Sequence, residues 1–166
     1  MVPGDQRGDI LYPLNQLRDM HPELYEQYLK KYEGRESVLT QMIEPLDCLW
    51  NDVIFLTAVH PSMVKKAYEE TGFKFDLPFR FYEIEPEALD PKRATVMLFP
   101  EHRSEPNVYR PYSPANIDQY SEFPERTMAY YEAMFSEGVL PLLFLFIPHI
   151  LYRGTLNVSN LRIIKV

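Results

Sequence analysis

The chain has 166 residues, 46 % of them hydrophobic and 25 % charged, and a formal net charge of -7. This length suits one domain that buries about two thirds of its unfolded surface, which excludes disorder throughout. The acidic balance argues against a nonspecific grip on nucleic acid, since that needs Lys and Arg to displace counterions from phosphates, and a single cysteine, Cys48, excludes an internal disulfide and suits a reducing cytoplasm.

Residues 1–8 carry no apolar leader-like run and are expected to form a disordered tail ahead of one α+β domain over residues 9–166. Ile10 to Leu14 reads as a first strand, shortened by Pro13. In His21 to Gly34 the apolar positions Leu24, Tyr25, Tyr28, Leu29 and Tyr32 recur at helical spacing, with Pro22 in the first turn and Gly34 as the stop. Glu36 to Met42 is a shorter helical piece, and Leu46 to Asp52 is a corner carrying the lone tryptophan, Trp50.

Val53 to Leu56 is a short apolar run rich in β-branched and aromatic types, which predicts a strand buried on both faces and placed at the centre of the sheet. Thr57 ends it, and Pro61 opens a helix that Gly72 closes. Phe79 to Ile84 and Ala94 to Phe99 are the next strands. Pro100 to Pro124 reads as a long proline-rich loop, either a surface excursion tied down by its own aromatics or, through Tyr109, Arg110 and Tyr112, a cover over a pocket, and Glu125 to Glu137 as a helix stopped by Gly138. The C-terminal part predicts closely spaced strands over Leu142–Ile147, His149–Tyr152, Leu156–Val158 and Leu161–Val166. Val139 to Tyr152 is shorter than the roughly 20 residues of a membrane-spanning helix and is interrupted by Pro141 and Pro148, so no membrane is expected.

Recognisable chemistry is sparse. His21, His60, His102 and His149 are too dispersed to predict a metal site, and no glycine-rich phosphate loop or nucleophile elbow is present. Cys48, flanked by Leu46, Leu49 and Trp50, reads as an inert buried thiol, and Glu83 and Glu85 as the solvated face of a strand.

Two stretches carry a family resemblance. Val53-Ile-Phe-Leu-Thr-Ala-Val-His-Pro with the following helix and the strand from Phe79 resembles the middle of small bacterial proteins with the ADP-ribosyltransferase-like fold. Ile147-Pro-His-Ile-Leu-Tyr-Arg-Gly-Thr-Leu-Asn-Val resembles a closing strand of one family in that group, and Ile10-Leu-Tyr-Pro-Leu sits where its first strand would be. The resemblance covers about a third of the chain. It implies a mixed, mostly antiparallel split sheet with three to four flanking helices and a cleft in which enzymatic relatives hold NAD.

On that resemblance, Tyr12, Thr57, His149 and Arg153 border the cleft, and Arg35 is placed to reach a pyrophosphate. Pro13 stands where active members carry a histidine or arginine, and no glutamate occupies the matched point of the closing strands. The reading is therefore a nucleotide-like or NAD-like ligand in a sheet cleft, with or without ADP-ribosyl transfer. An alternative is an interaction module using the tyrosines between residues 109 and 131, and the net charge alone also suits an acidic antitoxin-like or immunity-like protein.

Overall fold

The computed structural model describes residues 1–75, 79–102 and 104–166. It is an α+β chain with four α-helices among the described residues and several small sheets, in which every strand pairing is antiparallel. The elements in chain order are β1 (Ile10–Leu11), α1 (Leu14–Met20), α2 (Pro22–Leu29), β2 (Met42–Ile43), β3 (Cys48–Leu49), β4 (Val53–Leu56) and α3 (Pro61–Glu70). They are followed by β5 (Arg80–Glu83), β6 (Ala94–Leu98), β7 (Val108–Pro111), α4 (Glu125–Glu137), β8 (His149–Arg153), β9 (Leu156–Asn157) and β10 (Arg162–Lys165). No helix among the described residues is long and apolar enough to cross a membrane.

The main sheet has the order β4-β8-β6-β7, and β5–β10, β1–β9 and β2–β3 form separate two-stranded ribbons. Alternation along the strands gives the main sheet two apolar faces. One gathers Val96, Ile150 and Tyr152 with Leu89, Tyr112 and Ile117, and Ile54 and Leu56 pack against it. The other gathers Val53, Met97 and Leu151 under Ile43, Leu46 and Cys48, with Trp50 and Phe55 alongside. The expectation that Val53–Leu56 is buried on both faces is met in part: both faces pack against core residues, but only Val53 is buried and Ile54, Phe55 and Leu56 are half-buried. Its expected central position is not met, because β8 and β6 occupy the middle and β4 is an edge strand. Burial of both faces is imposed by the layers above and below a strand, so it carries no information about lateral neighbours.

Local signals account well for the helices. Pro61 takes the first turn of α3, where its missing N–H is no loss, and His60 Nδ1 accepts from the Ser62 N–H at 3.2 Å. Val64, Ala67 and Tyr68 form its buried stripe. α4 ends at Gly138, whose φ of +69° is the left-handed conformation of a helix stop, and Val139 N closes back on Met134 O at 2.9 Å.

Other segments differ from expectation: the strand expected over Ile10–Leu14 is confined to Ile10–Leu11, and Leu14 already opens α1. The stretch from Pro100 to Pro124 has structure of its own: β7 pairs with β6, and Pro114–Tyr120 winds as a 3-10 helix. Leu142–Ile147 forms turns and no strand. The reason is visible in its partners: the Leu143 carbonyl accepts from the Tyr131 hydroxyl, the Leu145 carbonyl from Thr127 at 3.1 Å, and the Leu142 N–H reaches the Tyr130 hydroxyl at 3.0 Å. Side chains of α4 take the backbone groups that a neighbouring strand would otherwise satisfy.

Candidate functional site

A cavity of about 790 Å3 lies between β1, the α1–α2 pair and β4. Val53, Ile54 and Phe55 all line it. Successive side chains of a strand point to opposite faces, so three consecutive lining residues mean that the cavity meets the strand at its edge. Gly154 N donates to Asp52 O at 3.2 Å, and the register sets Val53 opposite Arg153. Bonded and non-bonded pairs alternate along an antiparallel ladder. Ile54 and Leu56 therefore turn their backbone groups toward β8, whereas Val53 and Phe55 turn theirs away from it, toward the cavity side.

A chain of side-chain amides lies at the foot of this edge. Asp52 accepts from Leu49 N at 2.9 Å through one oxygen and from Asn15 Nδ2 at 2.6 Å through the other. A carboxylate only accepts, so Asn15 must present its amino group to Asp52 and its carbonyl to Asn51, which donates to it at 2.7 Å. The polarity set by Asp52 thus leaves Asn51 with its carbonyl oxygen. Asn51 is 8 % exposed and lines the cavity, and its Oδ1 has no hydrogen-bond partner. A buried acceptor left unpaired costs about 1–3 kcal/mol.

The remaining walls are largely aromatic and aliphatic. Trp50 packs on Phe55 with ring centroids 4.7 Å apart, and Tyr12 meets His21 edge-on at 5.9 Å. Residues 1–7, expected as a loose tail, form one wall: Val2 N donates to Arg80 O at 2.6 Å, Asp5 accepts from the Tyr28 hydroxyl, and Arg7 pairs with Glu23. Burial and the adjacent Asp5 carboxylate push the Tyr28 phenol up to about 12. Lys31 and Arg80 also line this cavity.

A second cavity, about 430 Å3, lies at the other end of β4 and holds Thr57 and His149. The register Leu56↔Ile150 brings these two residues side by side. Thr57 Oγ1 accepts from Val59 N at 3.1 Å, and His149 Nδ1 lies 2.6 Å from the Ile147 carbonyl, which can only accept. Nδ1 therefore bears the proton, and Nε2 is the acceptor of the neutral ring. The ring sits edge-on to Phe55 and Phe99, and burial lowers its pKa below the ordinary 6.5.

Arg153 is at the far end of β8 from His149 and lines a third concavity, with Arg93 and Cys48. Arg35 is exposed and lines none of these three cavities; it donates to the Lys31 carbonyl at 2.8 Å and lies over the Tyr32 ring at 5.7 Å. The five residues expected around one cleft are thus distributed: Thr57 and His149 together, Tyr12 and Arg153 in separate cavities, and Arg35 on the surface. Asn51 was missed, because a single asparagine beside a tryptophan carries no motif, although its place at the start of the apolar run pointed to a strand end.

The tyrosines between residues 109 and 131 do not make a common outer face. Tyr112 and Tyr131 are core residues, 4 % and 0 % exposed, with hydroxyls bonded to the Pro86 and Leu143 carbonyls. Cys48 is buried, and its thiol is raised above its ordinary value mainly by that burial. No protein-family model, curated protein or solved structure matches the chain.

Proposed function

We propose that the chain binds a nucleotide-like or NAD-like small molecule, with the planar ring in the cavity between β1 and the open edge of β4. The observation that carries this reading is the unpaired carbonyl of Asn51 in the wall of an aromatic-lined cavity. A ring amide or amino group supplies the donor that this acceptor lacks, and the outward backbone groups of Val53 and Phe55 offer further donor and acceptor positions of the kind that orient small ligands. Trp50, Phe55 and Tyr12 supply the apolar and stacking surface, and Lys31 and Arg80 supply positive charge at the rim for phosphate. Of the residues that the ADP-ribosyltransferase-like resemblance places around a cleft, Tyr12 lines this cavity. The lone buried thiol fits a cytoplasmic setting.

Calorimetric titration with NAD, ADP-ribose, adenosine and nicotinamide tests the reading. Saturable binding of at least one is expected, weakened about tenfold in Asn51→Leu, equivalent to about 1.4 kcal/mol. Absence of binding by all four would remove the basis of the proposal. Release of nicotinamide from NAD, followed by chromatography, separates a transferase from a binding protein.

A further inference from the structure

The concavity that holds Arg153 has a different chemistry from the cavity assigned to the ring. It encloses about 480 Å3 and is lined by Lys92, Arg93 and Arg153, with Asp47 and Asp52 as its carboxylates. Three cations against two carboxylates leave it positive in a chain whose net charge is -7. Among the described residues none of the three cations forms an ion pair. Asp52 has both oxygens engaged by Leu49 and Asn15, which leaves the exposed Asp47 as the carboxylate not so engaged.

Both guanidinium groups are held in place by protein carbonyls. Arg153 donates through one terminal nitrogen to the Leu46 carbonyl at 2.8 Å. Arg93 donates through Nε to the Arg153 carbonyl at 3.0 Å, and its guanidinium lies 5.0 Å from the centre of the Tyr152 ring. It passes so close to Gly154 that a methyl group there would lie 2.2 Å from its terminal nitrogen, at a backbone φ of +89°. Each anchor uses one N–H of five, so the terminal donors of both groups are left oriented and uncommitted to carboxylates. Oriented guanidinium pairs match the oxygens of a tetrahedral dianion, and an adjacent ammonium adds a third charge.

We propose that Arg93, Arg153 and Lys92 form a phosphate-binding site at the β8–β9 turn, occupied either by free phosphate or by the phosphate of a nucleotide. The site stands on its own residues and does not depend on the ring cavity, whose wall residue Asn51 precedes Asp52 in the chain. Isothermal titration of the whole chain with inorganic phosphate tests it, with the double variant Arg93→Gln/Arg153→Gln and the single variant Lys92→Gln. Lys92 is exposed, so its replacement keeps the test open should the double variant fail to fold.

Saturable phosphate binding is expected, weakened several-fold in Lys92→Gln and lost in the double variant. ADP and adenosine tell the two sources apart. A fall in ADP affinity with unchanged adenosine affinity identifies a nucleotide phosphate, and a fall confined to inorganic phosphate identifies the free ion. Absence of saturable phosphate binding, or equal affinity in the wild type and Lys92→Gln, overturns the site. Failure of adenosine to bind bears on the ring cavity alone.

Discussion

Asn15 on α1 and Asp52 at the foot of β4, 37 residues apart in sequence, share a 2.6 Å hydrogen bond that ties the helical pair to the edge of the sheet. The bond sets the direction of the amide chain through Asn51. Asp52→Ala removes the acceptor for two donors, Leu49 N and Asn15, and is expected to destabilise the fold by about 1–3 kcal/mol. Chemical denaturation should show a lower midpoint with an unchanged slope. Asn51→Asp should be worse than Asn51→Leu, since an acidic side chain turns an acceptor toward the Asn15 carbonyl.

The turns of Leu142–Ile147 depend on α4 for their hydrogen bonds. Thr127→Val leaves the buried side of the Leu145 carbonyl without its donor, and Tyr131→Phe does the same to Leu143. Each is expected to lower stability by about 1–2 kcal/mol. Hydrogen exchange should show faster opening of the turn segment than of β6 or β8 in both variants.

His149 should make stability pH-dependent. Its folded-state pKa lies below 6.5 because burial disfavours the imidazolium. Below 6.5 the unfolded chain therefore binds more protons at this position than the folded chain, and stability falls as pH drops through the lowered value. His149→Gln can keep a donor to the Ile147 carbonyl without titrating. Between pH 7 and about 5 its denaturation midpoint should fall less steeply than that of the wild type, and parallel slopes would exclude a role for this ring.

Gly154 combines a left-handed φ of +89° with the passage of Arg93. Gly154→Ala is expected to cost about 1–3 kcal/mol through backbone strain and displacement of the guanidinium. Thermal denaturation reads the loss of stability, and phosphate titration of the folded variant reads the displaced Arg93 as weaker binding.

The Cys48 thiol, 6 % exposed and raised mainly by burial, should react with an aromatic disulfide reagent far more slowly in the native chain than in the unfolded one. Fast modification of the native chain would contradict the packing of β3 against the sheet.

Much of the local structure was determined by the sequence alone. Pro61, Gly72 and Gly138 mark helix limits because their backbone preferences act within a few residues, and the apolar runs of β4, β6 and β8 announce strands through burial. The tertiary structure decided where each strand lies sideways, since two covered faces are shared by central and edge strands alike, and it opened the edge of β4 to the cavity. It also decided that Leu142–Ile147 would turn, because its carbonyls find the hydroxyls of Thr127 and Tyr131. The juxtapositions of Asn15, Asn51 and Asp52, and of Arg93 with Arg153, arise from folding over tens of residues. No short-range preference encodes them, and that is why neither group formed a motif in the chain.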